Sequence, residues 1–429
     1  MDKFFRLKEN KTDVRTEIIA GITTFMTMAY IIFVNPDILS TTGMDKGAVM
    51  TATIIAAGLT TILMGLMTNY PFALASGMGL NAFFAFVVAA QYGWQAALGA
   101  VFISGVIFTI LALTRAIDYI DAAMPTTLKR AVAAGIGLFI AYIGLQNGGI
   151  IVADEATQLT LGNLREPGPM LTLIGILIIA VLMARKVRGA ILIGILLTTV
   201  VSFFMGIQEL PTGIGDIFGL PVSLAPIALK LDLKAAFSIP LFVIFSFLFV
   251  DIFDTAGTLL GTGARAGFLD EQGRLPRVNR AMLADAIGTM GGSLLGTSTV
   301  TTYVESTAGV SEGGRTGLTS IVTGLLFFLA LFIAPLAGLI PPQATAPALV
   351  IVGVLMVGGV MKINFDDFTE ALPAFLTIIF MPLAYSIADG IAFGFIAYPV
   401  VKLVAGRGKE VHWLVYLLAV VALIHFFWA

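Results

Sequence analysis

Apolar residues run along this chain in long segments separated by short polar connections. Many segments come close to the roughly 17–25 residues that a helix needs to cross a bilayer. The pattern predicts seven spans in the first half, at residues 16–34, 48–67, 73–90, 95–114, 131–147, 169–185 and 188–206. It predicts seven in the second half, at residues 236–262, 278–295, 300–311, 316–338, 346–361, 369–387 and 388–402. A further apolar run at 411–428 is compatible with either an interfacial helix or an extra span.

Two of these segments are interrupted by small and polar residues. One reads ALASGMGLNAFF at residues 73–84, and the other reads GTSTVTTYVESTAG at residues 296–309. Non-helical backbone persists at membrane depth only where protein or a water-filled cavity satisfies its N–H and C=O groups. A pair of broken spans at corresponding positions of two halves is a pointer to a transporter's binding site. We therefore predict that these two stretches hold a polar substrate.

The composition supports membrane-spanning helices. Hydrophobic residues make up 58% of the chain and charged residues 12%, with a mean hydropathy of +0.99. The chain has no Cys and only two His, so we expect no disulfide, no thiol chemistry, no metal site and no cofactor. No basic domain interleaved with aromatic residues indicates nucleic acid, and no Ser/His/Asp set or cofactor motif indicates an enzyme. We expect neither activity.

Basic side chains concentrate in the cytoplasmic loops of membrane proteins, and here they give one consistent topology. With a cytoplasmic N-terminus, the basic groups within 115–130, 185–188 and 265–280 lie inside, whereas the opposite loops are acidic or mixed. The first apolar segment ends in Asn-Pro-Asp at residues 35–37 and not in a cleavage site, so we expect it to be retained. Because each half has an odd number of spans, the second half has the opposite orientation in the membrane from the first. This arrangement is the inverted repeat of many secondary transporters.

Carboxyl groups within apolar segments are the strongest candidates for chemistry. Asp251 and Asp254 lie three residues apart, so they share one face of a helix. An aspartate at the centre of a membrane helix costs about 2.5–3.5 kcal/mol on insertion scales, so this face should line a polar interior. Glu305 lies in the second broken segment. The alternative roles are a bond to a neighbouring helix for the two aspartates and a helix cap for Glu305.

Neutral groups complete the candidate site. Asn81 follows the Gly-Met-Gly of residues 77–79 and offers donors and an acceptor, although helix packing would also explain it. Asp285 is expected to serve helix packing or to lie near a loop, and not to take part in ion coupling. Four rings could stack on an aromatic ligand, but packing is the default in a chain with 32 Phe: Phe25, Phe83, Phe84 and Phe253.

Together these groups describe a site with amides, hydroxyls, three acids and exposed backbone, and without an embedded Lys or Arg. Such a site favours a flat, neutral, hydrogen-bonding substrate or a cation over an anion. Because burial favours the protonated form of a carboxyl group, the acids also offer a place for a co-transported proton.

Four motifs carry a resemblance to a known family. They are ITTFMTMAYIIFVNP at residues 22–36, GMGLNAFF at 77–84, FVDIFDTAGT at 249–258 and TSTVTTYVESTAGV at 297–310. Together they resemble the nucleobase–cation symporters, in particular the AzgA-like branch of purine permeases, over nearly the whole chain. The resemblance implies an all-α polytopic membrane protein of fourteen spans in two inverted seven-span repeats. Spans 3 and 10 would begin as short strands that meet at the midplane.

The resemblance also implies a division into two domains. Spans 1–4 and 8–11 would form a core domain, at residues 1–127 and 235–342. Spans 5–7 and 12–14 would form a gate domain at residues 128–234 and 343–429, including the C-terminal apolar segment. The core would slide against the gate in an elevator-type movement, and the gate would form the interface of a homodimer.

By the same resemblance, Asp254 best fits the eighth-span acid that binds the base, with Asp251 as its rival. Glu305 fits the tenth-span acid, and Asn81 fits the third-span polar residue. One of the three acids would carry the coupled proton, with H⁺ favoured over Na⁺. The other implied substrate-binding positions are Gly79, Phe253, Thr24, Phe25, Ser298, Thr299, Val300 and Thr301.

The resulting prediction is a proton symporter of the plasma membrane, the inner membrane in a bacterium, that imports purine bases. The wider family often has Glu in span eight and Gln-Asn or Glu-Asn in span ten. Asp254 and Glu305-Ser306 therefore favour hypoxanthine, guanine or adenine over uracil or xanthine. A uracil or xanthine carrier of the same fold remains an alternative. So does an anion carrier of the sulfate-permease type, whose helix N-termini would attract an anion, and a channel is a third.

Overall fold

The computed structural model of this chain describes residues 2–272 and 274–428, and most of these residues lie in helices. Residues 1 and 429, at which the predicted domains begin and end, lie outside the described residues. In chain order the longer helices are α1 (Val14–Met28), α2 (Ile31–Ser40), α3 (Lys46–Thr68), α4 (Met78–Ala82), α5 (Trp94–Thr114), α6 (Ala116–Ala123), α7 (Thr126–Asn147), α8 (Pro167–Ala184), α9 (Ala190–Phe204), α10 (Leu241–Ala266), α11 (Val278–Leu295), α12 (Ser306–Ser311), α13 (Gly317–Ala330), α14 (Pro342–Val357), α15 (Phe368–Leu383), α16 (Ile387–Val404) and α17 (Trp413–Trp428). The strands are β1 (Leu74–Ser76), β2 (Ile151–Asp154), β3 (Gln158–Leu161) and β4 (Val300–Thr302). Short helical turns lie at Asp2–Phe5, Ala90–Tyr92, Ile214–Asp216, Leu233–Ala236, Leu331–Ile333, Leu336–Leu339, Gly358–Lys362 and Gly408–Glu410, and a π-helical turn lies at Phe83–Ala89.

Most predicted apolar segments coincide with one helix or with a strand followed by a helix. Within the described residues, eight helical stretches are long and apolar enough to cross a membrane. The prediction of a multi-pass helical membrane protein is therefore confirmed, whereas the count of fourteen spans stays a prediction. The run at 411–428 is a helix, α17, that packs on α16.

The structure differs from the apolar pattern in three places. The first segment is two helices, α1 and α2, separated at Ala29–Tyr30, and the third contains the π-helical turn. A π turn inside a helix is rare and often marks a functional site. The β2–β3 hairpin follows α7 and was not predicted. Its four-residue strands are too short to stand out beside helical segments of the usual length.

Local polar groups determine where the helices begin and end. The carboxylates of Asp13 and Asp45 accept the N–H groups of Thr16 at 3.0 Å and Ala48 at 2.7 Å, which caps α1 and α3. At the start of α13, the buried Glu17 carboxylate accepts three backbone N–H groups from residues 315–319. These bonds join α1 to α13, which are about 300 residues apart in the chain.

Strands β1 and β4 form a buried antiparallel pair in which Ala75 lies opposite Thr301. The pairing extends at both ends. The Gly77 N–H donates to the Thr299 carbonyl at 3.0 Å, and the Tyr303 N–H donates to the Ala73 carbonyl at 2.9 Å. The predicted strands of the two broken segments are therefore present, and they meet.

One threonine hydroxyl holds the first residue of each strand. On α3, the Thr61 hydroxyl accepts the Leu74 N–H and donates to the Leu74 carbonyl, both at 2.9 Å. On α11, the Thr289 hydroxyl accepts the Val300 N–H at 3.2 Å and reaches the Val300 carbonyl at 3.1 Å. Each hydroxyl satisfies backbone groups that could not otherwise be buried without a cost in free energy.

The helices pack in two groups. Helices α1, α3 and α5 pack mainly with α10–α13, and α7–α9 pack mainly with one another and with α14–α16. Corresponding pairs recur: α3 packs on α13 as α11 packs on α5, and α8 packs on α14 as α15 packs on α7. The strand pair lies inside the first group.

Candidate substrate site

A cavity of about 540 Å³ lies beside β1 and the middle of α10. Its size is within the range of small-molecule sites, about 300–1,000 Å³. One wall belongs to the first helix group and includes Gly77, Gly79, Phe253 and Asp254. The opposite wall belongs to α7 and the turn after α14, and it ends in a basic rim: Lys129, Arg130 and Lys362.

Three of the predicted site residues line this cavity, and the others lie outside its lining. The lining positions are Gly79, Phe253 and Asp254, and Gly77 lies between them and β4. A Cβ atom built on Gly77 would lie 3.0 Å from the Thr301 hydroxyl oxygen. Glycine therefore permits the close approach of the two broken segments at this point.

Asn81 is fully buried on α4, two residues beyond Gly79. Neither its amide nitrogen nor its amide oxygen has a hydrogen-bond partner among the described residues. An unsatisfied buried polar group costs about 1–3 kcal/mol. Asn81 therefore has unused hydrogen-bonding capacity next to the cavity wall.

Glu305 lies at the start of α12 and does not line the cavity. The Tyr30 hydroxyl, between α1 and α2, donates to its carboxylate at 2.8 Å. The Tyr303 hydroxyl donates to the Ser76 carbonyl at 2.5 Å. Sequence reasoning missed both tyrosines. The available signal was a phenol group within an apolar segment, because a buried tyrosine hydroxyl usually requires a partner.

The segment before β4 brings two hydroxyl groups into the interior. The Ser298 and Thr299 hydroxyls are buried and have no partner among the described residues. Val300 takes part through its backbone, which Thr289 holds. Ser298 and Thr299 lie just before β4 and Val300 begins it, and their contact with substrate stays a prediction.

The remaining predicted positions on α1 have different surroundings. Thr24 is buried, packs against Gly309 of α12, and its hydroxyl has no partner within the described residues. The Phe25 ring packs edge-on against Phe327 of α13, with ring centroids 5.2 Å apart. The structure therefore places Phe25 in helix packing and not in the cavity.

Two further groups were missed or undervalued. The Lys129 ammonium group lies 4.9 Å from the Phe253 ring centroid and 2.5 Å from the Asp121 carboxylate, so a cation of α7 covers an aromatic ring of α10. Asp285, which was expected to serve helix packing, lies behind β4 and accepts the Thr302 hydroxyl at 3.2 Å. A single residue in one helix carries no sequence signal for such a contact.

The fold and this site define a multi-pass membrane transport protein. The profile of the Permease family, Xan_ur_permease, matches residues 15–393, and the chain belongs to this family. The relatives below are permeases, so the protein is a transporter and not an enzyme. The resemblance found in the motifs is thereby confirmed.

Relatives cover nearly the whole chain. The guanine/hypoxanthine permease PbuG of Bacillus subtilis is 48% identical over 440 residues, covering 99% of each chain. The adenine permease AdeP of Escherichia coli is 45% identical over 413 residues, covering 96% of this chain and 92% of that one. The transmembrane domain of the cyanobacterial bicarbonate transporter BicA shares the fold, with a TM-score of 0.65 at 18% identity over 87% of this chain and 96% of that one.

Proposed function

We propose that this protein imports purine nucleobases, namely adenine, guanine or hypoxanthine, by symport with protons. The observation that carries the proposal is the Asp254 carboxyl group beside the Phe253 ring in a cavity of about 540 Å³. A carboxylate accepts the N–H groups at the edge of a base, and an aromatic ring stacks on its flat face. The names of the adenine and guanine/hypoxanthine permeases support the same substrate class.

The buried groups behind the cavity would complete the binding site. Asn81 has unpaired donors and an acceptor, and Glu305 has one carboxylate oxygen bonded to Tyr30. A base that reached past Asp254 would satisfy these groups. An analogue without the matching N–H groups would leave the polar groups of Asn81 and Glu305 unpaired, so the site would bind it less well than the base.

The inverted repeat is supported by two observations. A threonine of the preceding helix holds the first residue of each strand, Leu74 or Val300. The contacts between helices also repeat, as expected for two halves related by a two-fold axis. Helix α3 of the first half packs on α13 of the second, and α11 of the second half packs on α5 of the first. We take residues 1–127 and 235–342 as the core domain, and 128–234 and 343–429 as the gate domain and dimer interface.

The cavity lies between the two helix groups, as an elevator-type carrier requires, because the core would carry the base along the gate. Its rim contains Lys129, Arg130 and Lys362. Because basic residues are concentrated on the cytoplasmic side of membrane proteins, this rim of the cavity would face the cytoplasm. The N-terminus would lie on the same side. The protein would lie in the plasma membrane, the inner membrane in a bacterium.

Uptake of radiolabelled adenine, guanine, hypoxanthine and uracil tests the function in cells without their own base carriers. We expect concentrative purine uptake that a protonophore abolishes. Asp254→Asn should lower uptake by about 10–100-fold, since a hydrogen bond to a charged group contributes about 1.5–3 kcal/mol. Asp270→Asn, in an exposed loop where Asp270 pairs with Arg274, is the matched control and should transport normally.

Two results would contradict this proposal. If no base entered cells that carry the protein in their membrane, purine transport would be excluded. If uracil were strongly preferred, the carrier would belong to the uracil and xanthine alternative.

A further inference from the structure

Two carboxyl groups lie behind β4, on the side away from the cavity. Asp251 of α10 and Asp285 of α11 are both fully buried. The Thr289 hydroxyl lies 3.0 Å from Asp251 Oδ2. The Thr255 hydroxyl donates to Asp285 Oδ1 at 2.9 Å, and the Thr302 hydroxyl also reaches that oxygen. Each carboxyl group thus uses one oxygen to bind the threonines around β4.

The second oxygen of each group is unused. Among the described residues, Asp251 Oδ1 and Asp285 Oδ2 have no hydrogen-bond partner, although both are buried. Asp251 and Thr255 lie one turn apart on α10 and contact Thr289 and Asp285, which lie one turn apart on α11, so the two carboxyl groups are neighbours where these helices meet. Two neighbouring ionised carboxylates repel, whereas a proton placed between them makes one oxygen a donor and the other an acceptor.

Among the described residues, no basic side chain acts on either carboxyl group. The remaining titratable group that acts on both carboxyls is Asp254, itself an acid. Helix α3, which packs on α11, carries Lys46 only at its first residue, and α5 carries no ionisable side chain. Strand β4 carries none, and Tyr303 follows it. A proton is therefore the group that this pair lacks.

We infer that Asp251 and Asp285 share one proton, and that this pair is where the coupled proton binds and is released. The inference rests on the proposed proton symport. It adds Asp285, and it assigns the pair a position separate from the substrate-facing acid Asp254. On loading, an O–H bond forms at one carboxylate and its hydrogen is donated to the other. On release that O–H bond breaks, and water takes the proton.

The threonines provide a route from this pair to the substrate. The Thr289 hydroxyl has one hydrogen, which it can give either to Asp251 Oδ2 or to the Val300 carbonyl, 3.1 Å away. If Asp251 is ionised, the hydrogen points to the carboxylate. When the shared proton is bonded to Asp251 Oδ1, Asp251 Oδ2 loses its negative charge and becomes a weaker acceptor, and the Thr289 hydrogen can turn to the Val300 carbonyl. Protonation thus changes how β4 is held, and Thr301 of β4 packs on Gly77 at the cavity.

The experiment uses purified protein in lipid vesicles with a pH gradient and radiolabelled base. For one coupled proton, a gradient of one pH unit supports about tenfold accumulation, which is about 1.4 kcal/mol. We expect Asp285→Asn to bind base and to exchange internal for external base, but to lose accumulation entirely. Asp285→Glu keeps a carboxyl group and should restore accumulation. Glu17→Gln, at a buried carboxylate bonded to backbone N–H groups, is the control and should remain coupled.

The outcomes are distinct. Wild-type accumulation by Asp285→Asn would overturn the inference. Accumulation by the wild type that requires Na⁺ instead of a pH gradient would contradict the proposed proton symport on which the inference rests. Loss of both binding and exchange in Asp285→Asn, without recovery in Asp285→Glu, would assign a structural role and also overturn it. If the wild type moved no base at all, the proposed function would have failed instead.

Discussion

The two strand-bearing regions of this transporter use one backbone device in two different chemical settings. Around β1 the supporting groups are neutral: the Asn35 amide donates to Thr53 at 2.7 Å and Thr297 at 2.9 Å, and reaches Ser76 at 3.3 Å. Around β4 the corresponding threonine contacts an acid, Asp251. Hydrogen bonds among neutral groups do not change with pH, whereas those to a carboxyl group do.

The comparison indicates that the half with β1 and the half with β4 have different roles. Strand β1 and its neutral network would act as a fixed frame that carries the glycine-rich lining of the cavity. Strand β4 would respond to protonation, because both of its ends are tied to carboxyl groups through Thr289 and Thr302. If the proposed inverted repeat and proton symport hold, the symmetry would supply the architecture, and the difference between the halves would supply the ion coupling.

Introducing an acid into the neutral half should have the largest effect. In Asn35→Asp the donors to Thr53 and Thr297 are lost and a carboxyl group is buried without a cation. An uncompensated buried charge costs about 3–5 kcal/mol. We expect a large loss of stability at neutral pH that is smaller at acidic pH, where the new carboxyl group is neutral. Thermal unfolding in detergent at several pH values measures it, and equal loss at every pH would contradict the reasoning.

The two threonines form a matched pair with a smaller effect. Thr61→Ala leaves the Leu74 N–H and C=O groups unpaired, at about 1–3 kcal/mol for each buried group. Thr289→Ala leaves Val300 unpaired and also removes the donor to Asp251. We expect Thr289→Ala to be the more destabilising of the two, and it alone should change the pH dependence of base accumulation. Equal pH profiles for the two variants would remove the contrast between the halves.

The smallest effect is expected outside both strand regions. The Arg407 guanidinium group binds the Asp367 carboxylate at 2.6 Å and lowers the pKa of Asp367 from 3.8 to about 2. Because the folded pKa is depressed, this contribution to stability is present above pH 3.8 and is lost as the pH falls through about 2. Asp367→Asn should slightly lower the unfolding temperature at neutral pH, and the difference should disappear in acid. A constant difference down to pH 2 would contradict it.

Much of the candidate site could be predicted because its residues stand out from the apolar segments that surround them in the sequence. Asp254 and Glu305 are acids in apolar segments, and 77–84 is a glycine-rich break, so their cost in a membrane marks them as functional candidates. Phe25 packs on Phe327 outside the cavity lining, and nothing in the sequence distinguishes such a ring from one that faces a cavity, so its role in binding stays a prediction. Tyr30 and Lys129 were missed for the same reason, since their partners Glu305 and Phe253 are distant in the chain.

The sequence by itself determined the membrane-spanning class, the positions of the helices, the two broken segments and the family, because apolar length and local motifs are properties of neighbouring residues. Only the tertiary structure decided which acids meet. Asp251 and Asp254 are three residues apart, yet one lies behind β4 beside Asp285 and the other faces the cavity. The physical reason is that two side chains three residues apart point to the same side of α10 but not in the same direction. What each one contacts depends on α11, β4 and α7, which are packed around it.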